Sequence, residues 1–112
     1  MRLVIDGVDT DVVDVAATPA TRRRGLLHRD GIEGAMWFPG VRSVHTLGMR
    51  FTIDVAHVDR HGIVISAQTM VPNRLGAWRS GAAGVLEASG GAFGDWNLLR
   101  GSRIRVGPWP AN

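Results

Sequence analysis

Apolar residues occur along this chain in short runs that are separated by turn-forming residues. Near the start, residues 3–5 and residues 10–15 are two such runs on either side of the pair Asp6-Gly7. Asp-Gly favours the tight primed turn whose twist matches that of two paired strands. This stretch therefore predicts a β-hairpin.

A second hairpin is predicted in the middle of the chain. Residues 51–58 and 63–70 are rich in β-branched residues, and Asp59 and Gly62 occupy the first and fourth positions of the turn between them. In the first of these strands, residues 51, 53 and 55 point to one face and residues 52, 54, 56 and 58 to the other. Neither face is freely polar, so we expect this strand to lie inside the sheet.

Further strands are predicted at residues 35–38, 41–46, 83–88 and 103–106, and the chain contains fifteen glycines. Seven or eight short strands with frequent turns are typical of a sandwich or a barrel. We therefore expect a mainly β fold, namely a compact antiparallel sandwich or barrel of short strands with one or two short helices. One β domain would span residues 1–107, followed by a flexible C-terminal tail over residues 108–112.

Signals for helices are few. Thr18 is a suitable cap for a helix that has Pro19 at its first position and runs toward Leu27. A shorter helix is predicted over residues 93–100, where Phe93, Trp96 and Leu99 form an apolar stripe and Gly101 would end it. The segment 71–81 contains proline, asparagine and glycine, and it indicates a long surface loop that is either functional or mobile.

The charge of the chain argues against a nucleic-acid partner. All thirteen basic residues are arginines, and there is neither lysine nor tyrosine. The calculated isoelectric point is therefore very high, although the net charge at neutral pH is only +3. So small an excess is a weak electrostatic footprint for a protein that binds phosphate backbones.

The composition excludes further classes of site. There is no cysteine, which rules out thiolate catalysis, cysteine-bound zinc and disulfide bonds. The longest apolar run near the start, residues 3–5, is too short for a signal-peptide core, and no stretch approaches the length of a membrane span. We therefore expect a cytoplasmic protein with no membrane span.

Several short strings of residues occur in an order and spacing that resemble a known family. They are Arg24-Gly25-Leu26-Leu27, Gly34-Ala35-Met36-Trp37-Phe38, His45-Thr46-Leu47-Gly48-Met49, Ile53-Asp54-Val55, Met70-Val71-Pro72 and Val85-Leu86-Glu87. Together they resemble the bacterial and archaeal domain-of-unknown-function family 192, from about Val12 to Val106. The resemblance implies a small β domain of sandwich or barrel type with short helices on one side, and it implies no activity.

The chain departs from that family's usual pattern at several places. Where many relatives have Trp-Met-Lys-Asn-Thr, this chain has Arg42-Ser43-Val44-His45-Thr46, so no role of that lysine or asparagine can be transferred. Many relatives also carry a secretion leader, and this sequence shows none. The usual Gly-Asp near the last strand is Gly101-Ser102 here, a small change in a predicted turn.

One group of polar residues is a candidate site, namely His45, Thr46, Arg50 and Asp54. An antiparallel return of the chain would bring His45 near Asp54, and a histidine oriented by a carboxylate is suited to general acid–base work. The alternative is that Asp54 caps a turn or accepts backbone N–H groups while His45 is a semi-buried structural residue. We favour the structural alternative, and a ligand-binding role for the same group stays open.

Arg24 and Trp78 are further candidate binding residues. Arg24 interrupts the apolar side of the first helix, and we expect it to pair with Glu87 or Asp54, with anion binding at a pocket rim as the alternative. Trp78 lies beside Arg79 in the long loop and fits either a partner contact or a ligand cover. The spacing of His57 and His61 suits a metal site only on a helix, so we expect neither a metal nor another cofactor.

These observations favour a non-enzymatic binding or accessory module with a polar cleft bordered by Arg24, His45 and Asp54. Its partner would be a protein or a small-molecule ligand, and the chain would be a monomer or a weak homodimer. The alternative is a small hydrolase or isomerase in which His45 is the general base and Asp54 orients it. Nucleic-acid binding, which rests on the arginines alone, is the least favoured hypothesis.

Overall fold

Seven strands and two short helices form residues 1–108, which are the part of the chain that the computed structural model describes, apart from the side chain of Arg23. In chain order they are β1 (Arg2–Ile5), β2 (Val8–Val15), α1 (Pro19–Arg24), β3 (Ala35–Pro39), β4 (Ile53–Val58), β5 (Val64–Met70), β6 (Gly84–Ser89), α2 (Ala92–Asp95) and β7 (Ile104–Gly107). The mainly β fold expected from the sequence is therefore confirmed. Four of the five expected tail residues, 109–112, lie outside the described residues.

Both predicted hairpins are confirmed. β1 and β2 pair through a turn in which Asp6 and Gly7 have φ values of 49° and 83°, the left-handed conformation that a primed turn requires. β4 and β5 are joined by a turn in which the Asp59 carboxylate accepts the backbone N–H groups of His61 and Ile63 at 2.8 and 2.9 Å. Local turn chemistry thus sets two of the six strand pairings of the sheet.

The strands form one sheet in the order β5-β4-β6-β3-β2-β1-β7. All neighbouring pairs are antiparallel except β2 and β3, which run parallel. The expected antiparallel pairing therefore holds for five of the six neighbouring pairs, and the pair of β2 and β3 differs. The reason is that α1 and the residues after it carry the chain back past the sheet, and such a crossover is what joins two parallel strands.

The sheet is curled so strongly that its two edge strands meet at one end. Ile63 and Arg103 form an antiparallel bridge beside the starts of β5 and β7. The N–H of Val64 donates to the carbonyl of Ser102, and that of Ile104 donates to the carbonyl of Gly62, both at 2.8 Å. The fold is therefore a curled, half-barrel sheet with an inside and an outside.

Each face of the curled sheet carries its own apolar core. The inner core contains Leu3, Ile5, Val13, Ala35, Ala56, Val58, Val64, Leu86, Ala88, Phe93, Leu98 and Ile104. The outer core contains Ala16, Leu26, Met36, Phe38, Val44, Met49, Ile53, Val55, Met70 and Val85. All six residues of β4 are buried between these layers, which confirms its predicted place inside the sheet.

The helix α1 begins as predicted but ends earlier. The Thr18 hydroxyl accepts the backbone N–H of Thr21, and the Thr21 hydroxyl accepts the backbone N–H of Thr18. Pro19 occupies the first turn. This reciprocal capping fixes the start. The helix stops at Arg24 because Gly25 has a φ of 49°, outside the helical region, so it does not continue to Leu27.

Two other predicted elements differ from the structure. Residues 41–46 do not form a strand, and their one ladder contact is a bridge between His45 and Leu75. The second helix is only Ala92–Asp95, because Asn97 adopts a φ of 54° and the chain turns there. The segment 71–81 is a loop, as predicted. Within residues 1–108 no helix has the length and apolar character needed to cross a membrane.

Candidate functional site

A pocket of about 230 Å³ opens on the outside of the sheet, between the end of α1 and residues 41–49. Its apolar walls are Leu26, Leu27, Phe38, Val41, Val44 and Met49. Its polar side chains are Arg22, Arg24, Ser43, His45 and Glu87. Apolar walls with a few converging polar groups are the usual composition of a ligand site.

Two segments without regular secondary structure form the pocket, one directly after α1 and the other within residues 41–49. The N–H of Gly25 donates to the carbonyl of Thr21 at 2.9 Å, after which the chain leaves the helix and buries Leu26 in the outer core. On the opposite side, the N–H of Gly76 holds the carbonyl of Val44 at 2.8 Å. Val44 and Met49 then pack into the same core and leave His45 between them exposed.

Glu87 lies in the middle of β6, which runs between β3 and β4. Its cross-strand partners are Met36 and Val55, both apolar, and its side chain lines the pocket from below. Only 8% of the residue is exposed. Within the described residues its carboxyl forms no hydrogen bond and no ion pair, and burial raises its pKa to about 7.

Arginines form part of the pocket's polar rim. Arg22 donates to the carbonyl of Ala17 at 3.2 Å, while Arg24 is exposed. The expected ion pair between Arg24 and Glu87 or Asp54 is wrong. Within the described residues no guanidinium nitrogen of Arg24 lies within 4 Å of either carboxylate. Arg24 and Glu87 instead line one pocket without forming an ion pair, which leaves the Arg24 guanidinium and the Glu87 carboxyl available to a ligand.

Asp54 and His45 are not brought together. Asp54 faces inward, where its carboxylate accepts the Thr69 hydroxyl at 2.7 Å and the N–H groups of Gly91 and Phe93 at 3.0 Å each. The Nδ1 atom of His45 accepts the N–H of Leu47 at 3.2 Å. Asp54 therefore does not orient His45, and it has the structural role that we kept as the alternative.

The remaining candidate residues also lie apart from Glu87. Thr46 is fully buried, and its hydroxyl donates to the carbonyl of Val71 at 2.7 Å and accepts the N–H of Arg74 at 2.9 Å. Arg50 is exposed and lies 3.3 Å from the carboxylate of Asp30. Trp78 is 62% exposed and does not line the Glu87 pocket, so it is not that pocket's cover.

His57 is a second buried ionisable residue. It lies on β4, is fully buried, and its Nδ1 atom is 3.0 Å from the hydroxyl of Ser66. Its Nε2 atom has no hydrogen-bond partner among the described residues. The backbone carbonyls of Ala77 and Arg42 lie near enough to favour the protonated ring, but they are outweighed. Burial and then the charge of Arg79 lower its pKa.

None of the buried ionisable residues Asp54, His57 and Glu87 is part of a cluster suited to a metal. Within residues 1–108 no three histidine, aspartate or glutamate side chains converge in a way that would hold a metal ion. His61, which the sequence places near His57, lies exposed in the turn after β4.

Sequence reasoning did not identify Glu87 as a site residue. It treated Glu87 only as a partner for Arg24 and as part of the string Val85-Leu86-Glu87. The signal was present, because Glu87 is an isolated acid in the otherwise apolar strand Gly84–Ser89. A carboxyl at such a position is either paired or functional, and here no partner is found within the described residues.

The curled sheet with a pocket on its outer face defines a small β domain. The chain belongs to the DUF192 family, described as uncharacterized ACR, COG1430, whose model matches residues 2–106. No curated protein matches the chain.

Two solved structures share the fold. A protein of unknown function from Novosphingobium aromaticivorans DSM 12444 is 19% identical, with a TM-score of 0.81 over 95% of this chain and 84% of that one. A protein from Sinorhizobium meliloti 1021, described provisionally as a transcription regulator, is 21% identical, with a TM-score of 0.78 over 93% of this chain and 89% of that one. At these identities the likeness concerns the fold alone.

Proposed function

We propose that this protein is a binding module for a small organic anion, which it holds in the Glu87 pocket. The observation that carries the proposal is a buried carboxyl that has no partner within the described residues, on the floor of an apolar pocket with arginines at the rim. Burial takes part of the water away from this carboxyl and raises its pKa. A ligand that bonds to Glu87 would supply the hydrogen-bond partner that the carboxyl lacks among the described residues.

The chemistry of the lining gives the ligand an orientation. Its anionic group lies at the rim, where Arg22 and Arg24 supply guanidinium donors. Its middle packs against apolar side chains such as Leu27 and Phe38, and its inner end reaches Glu87. The pocket is smaller than the roughly 300–1,000 Å³ of typical drug-sized sites, so the ligand has the size of a small metabolite.

The test is direct binding of a panel of small carboxylates and phosphate esters, measured by ligand-observed NMR and calorimetry. We expect Arg24→Gln to weaken binding by at least about tenfold, the effect of losing a charged hydrogen bond. Arg60→Gln, which changes an exposed arginine in the turn after β4, is the matched control and leaves binding unchanged. Equal binding by the two variants, or no binding by the wild type, contradicts the proposal.

A second candidate function is enzymatic, and one observation favours it. The pKa of Glu87, at about 7, is matched to proton transfer at neutral pH. Glu87 would then be the general acid or base, the role first considered for His45, while His45 lies at the rim. Incorporation of solvent deuterium into a bound anion would support this activity, and binding without any exchange or turnover would support the binding module.

A further inference from the structure

We infer that Glu87 holds its ligand as a protonated acid, so that the pocket selects organic anions whose inner end is a hydrogen-bond acceptor and takes up a proton when they bind. This inference rests on the proposed function and adds the ligand class and its linkage to pH. The preferred ligands are oxo acids, in which a carbonyl oxygen reaches Glu87 and a carboxylate lies at the rim.

The surroundings of Glu87 favour its neutral form. On the sheet its neighbours are Met36 and Val55, and Phe38 lines the same pocket, so no described neighbour donates a hydrogen bond to the carboxyl. An ionised carboxylate in such a place lacks the donors that stabilise it, whereas a protonated carboxyl has one O–H to offer. The ligand group that best completes this site is therefore an acceptor.

The charged groups around the pocket make binding and proton uptake cooperative. Arg22 and Arg24 approach from α1, and His45 approaches from the segment 41–49. On the sheet, His57 is the ionisable residue of β4 that shares this outer face, and it lies two positions after Val55. An anion bound at the rim adds negative charge near the carboxyl, and this raises the pKa of Glu87 further.

Ligands with a different group at the inner end should take up fewer protons on binding, or release them. A hydroxyl can donate to the ionised carboxylate as well as accept from the acid, so it gives a weaker link to protons. An ammonium group pairs only with the ionised form and would release a proton. The direction of proton transfer on binding therefore reports which chemistry the pocket prefers.

The experiment is calorimetry with 4-oxopentanoate and 4-hydroxypentanoate, together with isomers that have the carbonyl at other positions. Each titration is run in two buffers of different ionisation enthalpy, at about pH 6 and about pH 8, on either side of the raised pKa. At about pH 8 we expect proton uptake with the oxo acid, whereas at about pH 6 little is taken up because Glu87 is already mostly protonated. The affinity falls by up to about tenfold per pH unit above neutrality. The oxo acid binds more tightly than its hydroxy counterpart at the lower pH.

Two substitutions test the role of the Glu87 carboxyl in binding and in proton uptake. Glu87→Gln keeps a donor and cannot ionise, so we expect it to bind the oxo acid with no proton uptake and no pH dependence. Glu87→Leu removes the donor and weakens binding at every pH. The matched control is Glu33→Gln, which changes the chain's other, exposed glutamate and behaves as the wild type. Folding of each variant is checked by its NMR spectrum.

The outcomes separate the two proposals. Three results would overturn the inference and leave the binding module intact. They are oxo-acid binding with no proton uptake at about pH 8, oxo-acid binding with proton release, and a pH dependence that persists in Glu87→Gln. Failure of every anion in the panel to bind overturns both. Proton uptake that is lost in Glu87→Gln and kept in Glu33→Gln supports the inference.

Discussion

The carboxylate of Asp54 accepts the backbone N–H of Phe93 at 3.0 Å, which joins the central strand β4 to the first turn of α2. The same oxygen accepts the N–H of Gly91, and the other oxygen accepts the hydroxyl of Thr69 on the neighbouring strand. Asp54 is 3% exposed. The Asp54 side chain thus connects β4, β5 and the start of α2 by hydrogen bonds at one end of the inner core.

Replacing Asp54 by alanine should destabilise the fold strongly. Three bonds to a buried carboxylate are lost and the N–H groups of Gly91 and Phe93 are left without an acceptor, so we expect the free energy of unfolding to fall by roughly 3 kcal/mol. Asp54→Asn should lose less, since an amide oxygen can still accept from backbone. Urea denaturation measures both. Asp30→Ala, an exposed control, should stay within about 0.5 kcal/mol of wild type.

The stability of the protein should depend on pH through Glu87. The pKa of this carboxyl is about 7 in the folded state and near its ordinary value of 4.5 in the unfolded chain. Between these values the folded state holds a proton that the unfolded chain has lost, so the free energy of unfolding falls as the pH rises, by roughly 3 kcal/mol across the window.

Glu87→Gln should remove this dependence, because an amide does not ionise. Urea denaturation at a series of pH values then gives two curves that agree near the acidic end and separate toward neutral pH, where the variant is more stable. Parallel curves for wild type and Glu87→Gln would show that the carboxyl keeps its ordinary pKa after folding.

His57 should have the opposite effect. Burial, and then the charge of Arg79, lower its pKa below the ordinary 6.5, so the unfolded chain binds the proton more tightly. The free energy of unfolding therefore falls as the pH drops below about 6.5. Arg79→Gln should raise the pKa of His57, as measured by NMR titration of the imidazole. Arg60→Gln serves as the control, and an equal pKa in the two variants would exclude the influence of Arg79.

Thr46 should be needed to hold the loop 71–81 in place. Thr46→Val conserves the shape of the side chain but removes its bonds to the carbonyl of Val71 and the N–H of Arg74. We expect a loss of about 2 kcal/mol, together with faster hydrogen exchange at the amide of Gly76. Thr10→Val, at a more accessible threonine, should change neither quantity by much.

The features that sequence reasoning predicted are those set by neighbouring residues. The turns at Asp6-Gly7 and Asp59, and the capped start of α1 at Thr18, each depend on contacts within a few positions, and each is confirmed. The ends of the helices were less predictable. The backbone conformations of Gly25 and Asn97 depend on how the following residues enter a core.

The site was not predictable in the same way, because it depends on distant contacts. The bond between Asp54 and Phe93 joins residues 39 positions apart. Glu87 is brought under the end of α1 only when β6 inserts between β3 and β4. The predicted antiparallel return would bring His45 beside Asp54, whereas the alternation of β4 sends Asp54 to the inner face.

The pairing of the first strand with the last has a consequence for synthesis of the protein on the ribosome. β1 lies between β2 and β7, and Arg2 is the register partner of Gly107. The hairpin of β1 and β2 is synthesised well before β7, so one side of β1 stays unpaired until Gly107, 105 positions after Arg2, has emerged. During that interval the nascent chain exposes a β edge, the state in which strands pair wrongly with other molecules.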